Sequence, residues 1–110
     1  MQNFRKIFEG NNSAYGQLIL TGETTEKGKA IGKAFIKREA IPDQLWQDHL
    51  DGKDPALGVI PINEQNMCRW GCIDVDEYTG LDHLSIMRDI KGFGFPLVAF
   101  RSKSGGAHLF

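Results

Sequence analysis

The chain has 110 residues, of which 41% are hydrophobic and 25% charged. That balance suits one small globular domain with a modest core and excludes a disordered or low-complexity chain. The 13 lysines and arginines stand against 14 aspartates and glutamates, for a formal net charge of -1. Any contact with phosphates must therefore come from a local cluster and not from the overall field. The two cysteines, Cys68 and Cys72, make no disulfide framework, and no stretch approaches the roughly 20 apolar residues of a membrane span. No long apolar run follows Met1, so no secretory signal is expected, and a reducing cytoplasm is the expected compartment.

Phe4, Ile7 and Phe8 predict a short first helix over residues 3–9, and Gly10 to Ser13 read as a turn. Tyr15 to Leu20 is apolar enough for a strand. Thr21 to Gly32 is polar and glycine-punctuated, which predicts an exposed hairpin or loop returning through a second strand over residues 33–38. Its lysines Lys27, Lys29 and Lys33 read as a solvated surface in preference to a template contact.

Pro42 opens a helix that places Leu45, Trp46, His49 and Leu50 on one face, with Trp46 in the core. Asp51 to Pro55 end it. Residues 57–62 predict a short strand at a sheet edge, because Pro61 cannot donate to a ladder. Residues 68–76 read as a buried-type strand containing both cysteines as buried free thiols and Trp70 as core. Residues 81–90 predict a helix with Leu84, Met87 and Ile90 inward and His83 at the surface. A strand over residues 96–101, a loop over 102–106 and a further strand from Ala107 complete the chain, which stops inside that last strand.

The triplet Asp74-Val75-Asp76 is the most informative. Side chains alternate along a strand, so Ile73 and Val75 are expected in the core and both aspartates on the other face. Two carboxylates so placed suit hard divalent cations such as Mg²⁺ or Mn²⁺. Like charges this close also call for cationic compensation. The second feature is Arg101-Ser102-Lys103-Ser104-Gly105-Gly106-Ala107-His108, between two apolar strands. Gly105 and Gly106 allow a ligand close to the backbone, Ser102 and Ser104 offer hydroxyls, and Arg101 and Lys103 offer charge. His108 offers an imidazole donor. A plain hairpin turn is the competing reading of this loop alone. No Gly-Lys-Ser/Thr signature follows, so it is not a Walker-type phosphate loop. An acidic strand, a helix and a strand leading to this loop would form a βαβ-like unit that brings acids and loop to adjacent strand ends.

These two motifs resemble the first two motifs of the archaeo-eukaryotic primases. The wording Cys72-Ile73-Asp74-Val75-Asp76 and Arg101 to Phe110 is closest to the primases of TOTE conflict systems, with related domains in phage replication proteins. The approach through residues 48–52, 57–62 and 69–72 fits as well, so the resemblance covers roughly residues 40–110. It implies an α+β fold: a mixed sheet with flanking helices and the first part of an RRM-like catalytic unit. The whole of 1–110 would be the N-terminal part of a primase-polymerase catalytic domain.

The implied activity is template-directed nucleotidyl transfer from NTPs or dNTPs in DNA replication or repair, in a prokaryotic or phage-infected cell. By this resemblance Asp74 and Asp76 hold catalytic Mg²⁺ or Mn²⁺. Ser104 and His108 hold the incoming triphosphate, with Ser102 the alternative serine. The expected partners are single-stranded or primer-template DNA, a nucleotide and, for the intact protein, a helicase; no membrane is expected. The family's third motif, another strand-end aspartate, is expected downstream, because the chain ends two residues after His108. Catalysis is thus expected of the intact protein, and only metal and nucleotide affinity of this segment.

Two other readings compete: a metal-dependent nuclease using the same acids, and a non-catalytic RRM-type nucleic-acid module. The module needs aromatics on the open sheet face, where the sequence places Asp74 and Asp76. A zinc site built on Cys68 and Cys72 with His83 or His49 has unusual spacing and is set aside.

Overall fold

A computed structural model describes residues 1–77 and 79–110. The chain forms two compact units, Met1–Arg69 and Trp70–Phe110. The first holds α1 (Gln2–Phe8), β1 (Tyr15–Thr24), β2 (Ala30–Lys37), α2 (Asp43–Leu50) and β3 (Ala56–Gly58). The second holds β4 (Ile73–Val75), α3 (His83–Gly92), β5 (Ala99–Arg101) and β6 (Ala107–Leu109). Among the described residues the architecture is α+β, with three helices and two three-stranded sheets ordered β2-β1-β3 and β4-β6-β5. Every strand pairing in both is antiparallel, which corrects the expected mixed sheet. The parallel relations, β2 to β3 and β4 to β5, are each split by a strand lying between them, β1 and β6 respectively.

The first unit is built around Trp46, which is 1% exposed and packs with Tyr15, Leu45 and Leu57. Phe4 meets the Trp46 ring edge-on at 6.1 Å. Helix α2 begins at Pro42 with Asp43 in its first turn, where a carboxylate suits the helix dipole. It ends where Gly52 takes a positive φ of 71°. His49 packs as expected, and its Nδ1 accepts from the Leu57 amide at 3.1 Å, tying helix to strand. Leu50, expected on the packed face, is exposed.

Two strand boundaries differ from expectation. Of the two expected forms the polar stretch after Leu20 takes the hairpin, and its strands are longer than expected: β1 runs on to Thr24 and β2 starts at Ala30, around a turn closed by the Thr25 amide on the Lys29 carbonyl at 2.8 Å. Threonine favours extended backbone, so polarity here marks an exposed ribbon and not a break. Conversely β3 is only Ala56–Gly58. Beyond it the Ile60 carbonyl accepts from the Asn11 amide at 2.9 Å instead of a strand partner. The chain at Gly10 passes so close that a Cβ there would lie 2.2 Å from the Ile60 oxygen, so no other residue fits without a backbone shift.

In the second unit α3 is capped by Asp82, whose carboxylate accepts from the Leu84 and Ser85 amides, each at 3.1 Å. The helix packs on β5. Its expected inward residues Leu84 and Met87 are exposed, whereas His83, Ile86 and Ile90 are partly buried. Both stripes are apolar at helical spacing, so the period alone does not choose between them. Of the expected strand over residues 68–76 only Ile73–Val75 forms a ladder, and Cys68 makes an isolated antiparallel bridge to Ile62. Cys68 and Cys72 precede it and are exposed, not buried. Trp70 is partly buried, with its ring 6.0 Å from that of Phe110. No helix among the described residues is long and apolar enough to cross a membrane.

Candidate functional site

The candidate site lies on one face of the second sheet. The register sets Asp74 opposite His108 on β6, and His108 opposite Phe100 on β5. Residues directly opposite in a ladder point to the same face. The side chains confirm it for one pair, since His108 Nε2 lies 3.2 Å from Asp74 Oδ1. That pair is open to solvent, at 43% exposure for His108 and 58% for Asp74, so it attracts only weakly as a structural contact.

The opposite face is the packed one. Ile73 aligns with Leu109 and Ala99, and Val75 with Ala107 and Arg101. Ala107 and Leu109 are buried and Val75 partly so. Ile73 shares their face but is 55% exposed, because β4 is a sheet edge. Arg101 also belongs to this row, so the pleat directs it away from Asp74 and His108.

The loop between β5 and β6 is a tight hairpin. The Gly105 amide donates to the Ser102 carbonyl at 3.1 Å, and the Ser102 amide donates to the Gly106 carbonyl at 2.9 Å. Gly105 has φ +95°, a conformation that a side chain resists. This is the pattern of a short hairpin loop closed by a glycine bulge. The Gly105 N–H is thus committed to the turn. The N–H groups of Lys103 and Ser104, at its exposed tip, have no backbone acceptor among the described residues. Ser102, paired with Gly106 two residues beyond Phe100 and His108, returns to the Asp74 face by alternation. Continuing the β4 register by one step sets Asp76, which is exposed, opposite Gly106. The acids and the hairpin therefore meet on neighbouring strands, β4 beside β6.

Two groups that the sequence did not assign to the site belong to it. His83 was expected at the surface. It is partly buried, and its Nε2 lies 2.9 Å from the Gly106 carbonyl. A carbonyl only accepts, so Nε2 carries the proton and His83 anchors the hairpin to the start of α3. Phe100 and Phe110 stand on the same face as Asp74 and His108, with rings 5.7 Å apart at 75°. Phe110 also meets His108 edge-on at 6.2 Å. The alternation Val98-x-Phe100-x-Ser102 against His108-x-Phe110 was the available signal.

Among the described residues no group of three or more His, Cys, Asp or Glu side chains converges on one point. The donor set fits a metal of a particular kind. Mg²⁺ is commonly held by one or two carboxylates with substrate phosphates and water completing the shell. Asp74 and Asp76 match that requirement, and they do not match a structural zinc cage. No family model, curated protein or solved structure matches this chain.

Proposed function

We propose that this chain carries the metal- and triphosphate-binding part of a primase-polymerase of the archaeo-eukaryotic type, acting in the intact protein as a metal-dependent nucleotidyltransferase. The observation that carries the proposal is the placement of Asp74 beside His108 on adjacent strands, with a serine-glycine hairpin at the end of the same strand pair. Asp74 and Asp76 hold Mg²⁺ or Mn²⁺. When bound, such ions supply charge neutralisation for a triphosphate and activate an attacking hydroxyl. His108 donates from its imidazole to a phosphate oxygen. Ser102 and Ser104, with the outward amides of the hairpin tip, hold the remaining oxygens, and Lys103 adds positive charge. Catalysis on this plan is positioning and charge neutralisation more than proton transfer. Single-stranded or primer-template DNA, an NTP or dNTP and a helicase are the proposed partners, and the cytoplasm the proposed compartment.

A second reading is favoured by one observation. Phe100 and Phe110 give this sheet face the aromatics that a non-catalytic RRM-type module requires. Equilibrium binding of a fluorescent nucleoside triphosphate, with and without Mn²⁺, separates the readings. The primase reading predicts metal-dependent binding that is lost in Asp74→Asn. Binding of single strands with no nucleotide binding favours the module. Cleavage of DNA in Mn²⁺ without nucleotide favours a nuclease.

A further inference from the structure

The acids and the hairpin account for phosphate and metal, but not for the apolar surface beside them. Val98 is 59% exposed and Phe100 50% exposed, two residues apart on β5. Phe100 is held from below the strand end by Phe110, which itself packs against Trp70 and His108. A ring packed on one aromatic neighbour and left half open, in the same row as the carboxylate and imidazole, offers its free face to a planar ligand. Its place is specific. Asp74, His108 and Phe100 form one row across three strands, so carboxylate, imidazole and ring follow in that order. Strands lie about 4.8 Å apart, which puts the ring and the carboxylate on the order of 10 Å apart. A nucleotide bound with its phosphates between Asp74 and His108 reaches β5 with its base.

We infer that Phe100, backed by Phe110 and flanked by Val98, is a nucleobase-stacking subsite for the nucleotide whose triphosphate the Asp74–His108 end would hold. The inference rests on the nucleotide reading above and extends it, because it assigns the base to a surface that no phosphate or metal contact requires. Stacking is tolerant of base identity, since every base presents a π-face. The subsite therefore binds purine and pyrimidine nucleotides alike and sets position, not sequence. Specific pairing is left to a template.

The test compares three probes in Mn²⁺: a nucleoside triphosphate, inorganic tripolyphosphate, and 2-aminopurine riboside triphosphate, whose fluorescence is quenched on stacking. The wild-type chain should bind the nucleotide more tightly than tripolyphosphate and quench 2-aminopurine. Phe100→Ala should weaken nucleotide binding by roughly ten- to a hundredfold, as loss of one stacked base does, and abolish the quench. It should leave tripolyphosphate affinity unchanged. Phe100→Leu keeps apolar bulk without a π-face and should show the same loss, while Phe100→Trp should retain binding and quench. Equal loss for both polyphosphates means that Phe100 merely supports the strand and overturns the subsite. So does unchanged nucleotide affinity in the folded variants. Should the wild type bind tripolyphosphate and nucleotide equally, the phosphate site stands and the base subsite falls. Should it bind neither, both fall.

Discussion

The contact between His108 and Asp74 has two readings that differ in measurable free energy. If it is a structural ion pair, breaking it destabilises the sheet. If it is a site waiting for metal and phosphate, breaking it costs little stability and removes ligand affinity. By magnitude the contact is a weak structural pair, as the second reading requires. Both side chains are well exposed, at 43% and 58%, and the imidazole carries charge only when protonated. Exposed pairs of this kind contribute between zero and about 1 kcal/mol. We predict that a double-mutant cycle of Asp74→Asn and His108→Gln, followed by urea denaturation, returns a coupling below about 1 kcal/mol. Each single variant should unfold within about 1 kcal/mol of the wild type, yet each should lose Mn²⁺-dependent nucleotide binding. A coupling of 3 kcal/mol or more, in the range of buried pairs, would refute the reasoning.

The remaining predictions concern the scaffold. Trp46→Ala removes the most buried large side chain and should cost about 3–5 kcal/mol in urea denaturation. A loss under about 1 kcal/mol would contradict its place in the core. Gly105→Ala forces a side chain into φ +95° and should cost roughly 1–2 kcal/mol. It should also weaken nucleotide binding, because the turn that carries Ser102 and Ser104 must distort; unchanged stability would argue against this hairpin geometry.

Acid should destabilise the first unit. Glu64 is held below the usual carboxylate range by its own amide, the Ser13 hydroxyl and the Asn12 amide. Asp48 is lowered by the Gln44 amide and the Lys53 ammonium, and Asp51 by the Gln47 amide and the same lysine. A carboxyl whose folded pKa lies below its unfolded one stabilises above the unfolded value, and that stability is lost as the pH falls below it. The urea midpoint should therefore be flat down to about pH 5 and decline through 4.5 and 3.8, the ordinary values of these groups. A midpoint that rises on acidification would contradict these bonds.

The sequence was most legible where one physical requirement acted alone. Trp46 on an amphipathic helix behind Pro42 could only point into a core, and it does. Asp74 and His108 were expected to converge through a βαβ-like crossover; they do meet on adjacent strands, but because the hairpin folds β6 back between β4 and β5. It was least legible where two patterns competed. Leu84 with Met87 and Ile86 with Ile90 are equally apolar stripes, and only the packing of α3 on β5 chooses the second. Residues 68–72 look like the start of a buried strand, but the ladder begins at Ile73 and Cys68 makes only an isolated bridge to Ile62; both Cys68 and Cys72 are exposed. His83 and Phe100 were both missed. The role of His83 comes from a partner distant in sequence, the Gly106 carbonyl, which no local pattern announces, whereas Phe100 was signalled only by alternation across the hairpin toward the His108 row.

The central claim is that a divalent cation binds at the exposed face where β4 meets β6. Paramagnetic broadening by substoichiometric Mn²⁺ in a ¹H–¹⁵N and imidazole NMR spectrum tests it directly. Signals of Asp74, Asp76 and His108 should vanish first, those of the hairpin next, and Asp74→Asn should abolish the effect. Broadening centred elsewhere, or unchanged in that variant, would contradict the account.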